Sequence, residues 1–217
     1  MRIQAHSPTR FTSARSQQSP IDLRKPVYAP RLSDQVDISW SRSDEIPAQT
    51  TPGSHAILMP GEQAPLTING KNFEPKGLHF HGPSEHLVNG KPYPVEMHIV
   101  HQNDEDGTRA VLGVFLDDQG ESGSPADLAV RNLLDGLEHG GGNISPGDIL
   151  PDNSEHFYRY EGSLTTPSYD ENVSWMVLRE PIHLSPETLS RLKDEQGHEA
   201  RETQDLNRRF VLANFQG

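Results

Sequence analysis

The chain of 217 residues contains no cysteine. That excludes a disulfide framework, a thiolate metal site and a cysteine nucleophile, so any metal must be held by histidine and carboxylate. Positive charge is also scarce: 19 basic against 31 acidic side chains give a formal charge of -12. Nucleic-acid binders need a basic footprint and anionic membranes attract one, so neither is an expected partner. Long apolar runs are missing too, and nothing approaches the roughly 20 residues of a membrane span. The opening MRIQAHSPTRFTSARSQQ has an early arginine but no apolar stretch behind it, so it does not read as a signal peptide. On that reading the chain as given is cytoplasmic, and periplasmic or secreted only if a leader was trimmed ahead of Met1.

What is present is a backbone rich in punctuation, with 18 glycines and 18 prolines, and 11 histidines. Residues 1–17 are polar and without pattern, and read as a loosely held arm; 18–217 read as one domain. Short β-prone runs follow, including Gln35–Trp40, His55–Met59, Pro65–Ile68, Gly77–His81, Val95–His101, Ala110–Leu116 and Val173–Leu178. Breakers separate them, and the Asn69-Gly70 and Asn89-Gly90 pairs are turn signals. Two helices are expected. Ser124-Pro125 supplies an N-cap and first-turn proline ahead of Leu133, Leu134 and Leu137, and Ser185-Pro186-Glu187 repeats that start ahead of Leu189 and Leu192. The pattern predicts a mainly β domain around a large, twisted, mostly antiparallel central sheet, with a few short peripheral helices.

The densest chemistry lies in Gly77-Leu-His-Phe-His-Gly-Pro-Ser-Glu-His86 and Val95-Glu-Met-His-Ile-Val-His101. Strand alternation puts Gly77, His79 and His81 on one face, and Glu96, His98 and Val100 on one face of the second run. The interleaved apolar residues mark the buried side, so the histidines are expected to face a cavity or solvent. If the two runs pair as antiparallel neighbours, His79, His81 and His98 meet. Three imidazoles with an open fourth position are what a catalytic zinc requires. A lone His-x-His is more often solvated or hydrogen-bonded than a ligand, but a third histidine with Glu96 on the same face shifts the balance toward a metal. The run His79-x-His81-x-x-x-Glu85, with His98 later, also fits part of the two-motif metal site of the cupins. Phe73 and Glu96 stand where cupins usually have glycine, so that match is partial.

Further motifs extend the pattern. Tyr160-Glu-Gly-Ser-Leu-Thr-Thr-Pro167, then Glu171-Asn-Val-Ser-Trp175, resembles the signature of the α-class carbonic anhydrases. So do Gln18-Ser-Pro-Ile-Asp-Leu23, Ala110-Val-Leu-Gly-Val-Phe-Leu116 and both histidine runs, all in the family's order. The form His-Phe-His-x-Pro-Ser-Glu-His is similar to the bacterial branch, and the likeness runs from about residue 17 to the C-terminus.

The resemblance implies a zinc lyase that reversibly hydrates CO₂ to bicarbonate and a proton. It makes His79, His81 and His98 the Zn²⁺ ligands and Glu96 the acceptor for His98. Thr165 would accept a hydrogen bond from the attacking hydroxide and pass its own proton to Glu85. Val100, Val111, Leu164, Thr166 and Trp175 would line the berth for substrate, and His55 would shuttle the proton. His86 and His101 would be structural, bonding backbone or carboxylate from the buried side. Sulfonamides and anions are the implied inhibitors, and a homodimer is compatible with the family. A non-catalytic binding module on the same fold is the alternative from another class, with a cupin-type metal enzyme behind it. The chain departs from the family in lacking its aromatic-rich N-terminal segment, in Gly77 where many members have Gln, and in Glu202 and Asp205 where two prolines are usual. It also lacks the cysteines of a disulfide that many secreted members carry.

Overall fold

The structure, a computed structural model, describes residues 15–38, 40–50, 57–58 and 64–216. Five strands form its centre: β1 (Lys71–His81), β2 (Val95–Gln102), β3 (Arg109–Asp117), β4 (Phe157–Gly162) and β5 (Val173–Leu178). Their spatial order is β1-β2-β3-β5-β4. Shorter strands widen the sheet: Ile57–Leu58, Ile46–Thr50 and Gly142–Ile144 beyond β1, and Leu212–Ala213 and Val27–Tyr28 beyond β4. Most neighbours are antiparallel, as expected. The β3/β5 pair at the centre is parallel, because α1 (Pro125–Glu138) and the β4 segment lie between those strands in sequence.

Both turn signals hold. Asn69 and Gly70 take φ of 52° and 75°, as do Asn89 and Gly90 at 51° and 80°, the left-handed pair a two-residue reversal needs. The first reversal joins Leu66–Ile68 to β1. β1 runs further back than Gly77, through Pro75, where the register against β2 shifts between Pro75 and Gly77. Proline inside a strand is tolerated at such an irregularity. The strand β4 was not among the runs read in the sequence; its Tyr158 and Tyr160 alternate with Arg159 and Glu161 and are buried on the histidine face, while Phe157 is buried on the other.

Side chains of opposed residues share a face, so register builds rows across the sheet. One row is His81, Glu96 and Phe115; the next is His79, His98, Gly113, Val177 and Tyr158; a third is Gly77, Val100, Val111, Trp175 and Tyr160. The opposite face carries Leu78, Phe80, Met97, Ile99, Leu112, Val114, Met176 and Leu178. Against it pack Val130, Leu133 and Leu134 of α1, and Leu189 and Leu192 of α2 (Pro186–Gln196). Both helices start where the serine-proline signals place them, and the Ser124 side chain accepts from the Asp127 N–H. The sheet therefore has two buried faces, with separate apolar clusters. This corrects one expectation: burial is not confined to the apolar face, since His81 and His98 are buried as well and His79 is half-buried. Glu96 and His98 are buried by Val111, Tyr160 and Trp175, members of a second cluster that strand alternation alone does not reveal. No described helix is long and apolar enough to cross a membrane.

Candidate metal centre

His79 lies directly opposite His98, and His81 opposite Glu96, so the β1/β2 register alone brings the three imidazoles together. Ring centroids are 5.0 Å apart for His79–His81, 5.2 Å for His79–His98 and 4.8 Å for His81–His98. One nitrogen from each ring falls within 4.8 Å of the others, a spacing able to hold a metal ion. His81 and His98 are 3% and 1% exposed, and His79 is half-buried. The group therefore closes inward and opens on the His79 side.

The residues behind the triad set its tautomers. Glu96 Oε1 lies 3.0 Å from His98 Nε2 and 2.7 Å from His86 Nδ1, and Oε2 accepts the His86 backbone N–H at 2.8 Å. Burial raises the Glu96 carboxyl, but His86 and His98 outweigh it and hold it well below the usual carboxylate range. An ionised Glu96 only accepts, so both imidazoles donate to it. That turns His98 Nδ1 toward the triad and leaves His86 Nε2 to meet the Tyr160 hydroxyl at 2.7 Å. Burial also pushes the Tyr160 phenol well above its ordinary value, so it keeps its proton. The Tyr160 hydroxyl hydrogen-bonds Ser19 at 2.8 Å, and Ser19 Oγ accepts the Ser163 N–H at 3.0 Å. A continuous polar chain thus links a triad imidazole to the loop that follows β4. The expected structural roles of His86 and His101 agree with this geometry. His86 bonds a carboxylate, and the His101 ring nitrogens lie 3.0 and 3.1 Å from the Ile99 and Ala64 carbonyls, to one of which the neutral ring donates.

Beside the triad sits a second carboxylate. Glu85 is 2% exposed, with Oε2 3.4 Å from His81 Nε2 and 3.8 Å from His98 Nδ1. Its other oxygen accepts the Arg201 N–H at 2.9 Å, and the Thr165 side chain hydrogen-bonds to it. Burial pushes the Glu85 carboxyl up, against His98, Thr165 and the Arg201 N–H, which pull it down.

The apolar residues expected beside the triad come together in one cluster. Val111 and Trp175 are buried, and Val100 and Leu164 pack against the same cluster. The Trp175 ring stands edge-on to His98 and His86, 4.8 Å from each, with its Nε1 donating to the Ser163 carbonyl at 3.0 Å. Thr165 is 8% exposed and Thr166 is exposed next to it. His55 lies outside the described residues. Tyr160 and Arg201 were given no individual role from the sequence. Tyr160 opens a motif read there and Arg201 directly precedes Glu202, noted there as a departure, but their partners are far away in the chain.

Comparison with known proteins places this geometry. The family model for eukaryotic-type carbonic anhydrases matches residues 6–215. A carbonic anhydrase of Nostoc sp. is 32% identical over 209 residues, covering 90% of this chain and 75% of that one. Among solved structures, the Photobacterium profundum α-carbonic anhydrase superposes with a TM-score of 0.77 at 33% identity, covering 91% of this chain and 89% of that one. The Thermovibrio ammonificans α-carbonic anhydrase, in complex with the inhibitor sulfanilamide, gives 0.73 at 34% identity, with 91% and 87% covered. The cupin alternative is set aside by a match that spans the whole domain. The triad sits where two adjacent strands of that domain face each other, and the chain belongs to the eukaryotic-type, or α, carbonic anhydrase family.

Proposed function

We propose that this protein hydrates CO₂ reversibly at a zinc ion held by His79, His81 and His98. The observation that carries the reading is the three-imidazole group itself, with no thiolate available and with Glu96 fixing the His98 tautomer. An all-nitrogen, uncharged donor set fits zinc and leaves its charge uncompensated. The chemistry zinc supplies in such a site is a water pKa lowered to about 7, hence a nucleophile at neutral pH.

The chain's own residues supply orientation and shelter. The Thr165 hydroxyl donates to Glu85, which also accepts the Arg201 N–H. With its proton committed there, Thr165 Oγ1 acts only as an acceptor toward the nucleophile, and so turns a lone pair of that nucleophile toward the substrate carbon. Val100, Val111, Leu164 and Trp175 exclude water on one side, a berth suited to a molecule with no net dipole. Thr166, exposed next to Thr165, would meet substrate or product. His55 carries the proton to bulk buffer, an imidazole being able to take and release it near neutral pH. Sulfonamides are the expected inhibitors.

Metal analysis together with stopped-flow CO₂ hydration tests this. The wild type should hold about one zinc per chain and hydrate CO₂, and His98→Ala should lose both. Zinc bound without hydration would leave the binding-module reading in place of the catalytic one.

A further inference from the structure

Arg201 meets Glu85 through its backbone, but its side chain does something separate. Its guanidinium Nη1 donates to the Ser19 carbonyl at 2.6 Å and Nη2 to Gln18 Oε1 at 3.0 Å. Its central carbon lies 4.0 Å from the centroid of the Tyr169 ring. Each partner is fastened to the loop that carries Thr165. Gln18 Nε2 donates back to the Tyr169 carbonyl at 3.1 Å and to Glu171 Oε1 at 2.9 Å. Ser19 and Ser163 exchange two hydrogen bonds, Ser19 N to Ser163 Oγ at 2.9 Å and Ser163 N to Ser19 Oγ at 3.0 Å. Thr165 thus lies between two anchored points, Ser163 on one side and Tyr169 on the other. One residue fixes Glu85 from its main chain and both ends of the Thr165 loop from its side chain.

We infer that Arg201 is a positioning residue for the Thr165–Glu85 pair, setting where the threonine hydroxyl sits relative to the carboxylate. This rests on the hydratase reading above. The guanidinium suits the task because one planar group donates in two directions and stacks on an aromatic face together, which a lysine ammonium cannot reproduce. The side chain touches neither a triad imidazole nor the apolar berth, so its effect passes through the pair.

The test is a double-mutant cycle of Arg201→Ala with Thr165→Ala, read in zinc content, CO₂ hydration and amide hydrogen exchange. The wild type is assayed first, and zinc-loaded protein without hydration counts against the hydratase reading rather than against the arginine. In active protein, Arg201→Ala is expected to keep one zinc and lose about 10- to 100-fold in kcat/KM, the scale of a small misplacement of a reacting group. The same change in the Thr165→Ala background should cost less than about 3-fold, because the two act as a unit. Arg201→Lys should behave like the alanine variant. Exchange at the Leu164 and Tyr169 amides, bonded to Asp170 and Thr166 respectively, should speed up while β2 and β3 stay protected. Should Arg201→Ala destabilise the fold, Gln18→Ala, which removes one partner of the guanidinium, takes its place in the cycle. Equal losses in both backgrounds, full activity in Arg201→Lys, or exchange rising uniformly through the sheet would each overturn the inference.

Discussion

Glu96 concentrates the demands on the site: it is fully buried, ionised, and accepts from two imidazoles and a backbone N–H. Room for it comes from Gly113, the residue opposite His98 on β3, which brings no side chain toward the carboxylate. A Cβ on Gly113 would stand 3.0 Å from Glu96 Oε1 and 3.3 Å from a Val177 methyl. Glu96→Gln keeps the volume but turns an acceptor into a group that also donates, leaving one of three donors facing another. Zinc affinity, measured by competition with a chelator, should fall about 10- to 100-fold, with the fold retained. His101 behaves differently. Burial lowers it to about 4, against the carbonyls of Ala64, Ile99 and Ala110. The unfolded chain takes up that proton near its ordinary value of 6.5, so between those limits the unfolded state binds more protons. Stability contributed in full above pH 6.5 is therefore lost as pH falls toward 4, by about 3 kcal/mol. Urea titrations at the two ends of that window should show the loss in wild type and a clearly smaller one in His101→Gln. At this scale the sequence displayed the triad and Glu96 openly, because strand alternation is local. It hid the Tyr160 and Arg201 partnerships, whose hydrogen bonds span 74 and 182 residues.

Elements divide by what holds them. The helix α1 was legible from Ser124, Pro125 and Asp127, since caps and first-turn acids act over three or four residues. Its closest neighbour was not: a Cβ on Gly136 would meet the Gly142 Cα at 2.6 Å, so helix and edge strand touch through bare backbone. Asp127 also does more than cap. It is fully buried and accepts from the Gly123 N–H, the Ser185 N–H and the Ser185 hydroxyl, at 3.0, 3.0 and 2.8 Å, tying α1 to the start of α2. Burial raises its carboxyl, yet these donors and Thr188 bring it down to about 2. Asp127→Ala removes the acceptor of three donors, of which the Ser185 hydroxyl keeps Thr188 Oγ1 and the exposed Gly123 N–H can meet water, and should cost about 1 to 3 kcal/mol in thermal or urea unfolding, without changing zinc stoichiometry. Arg191 of α2 joins the same two helices through Asp135 and Glu138 of α1, and pairs with Glu195 on its own helix, but at the surface. Exposed pairs of that kind contribute about 1 kcal/mol or less, so Arg191→Ala should be the milder change.

At the scale of the whole molecule, the sheet is a two-sided device. One face is plain core under the helices, and the other buries a polar chain running from the triad to Ser19 and Ser163. The mainly β architecture was readable because short alternating runs and Asn-Gly turns recur along the chain. The parallel β3/β5 junction was not, since it depends on which distant strands become neighbours. The net charge of -12 has no counterpart in the site, whose substrate is uncharged and whose donors are imidazoles. The absence of cysteine matters more, because it leaves metal binding to histidine and carboxylate, and the three-imidazole group offers that chemistry without a thiolate. That is the central claim, and one titration addresses it most directly. Metal-free protein is prepared with a chelator, zinc is added back in steps, and CO₂ hydration is followed by stopped flow. Activity should be absent at the start, rise linearly and break at one equivalent per chain. Hydration that survives zinc removal, or that stays absent after one equivalent is bound, would contradict the account.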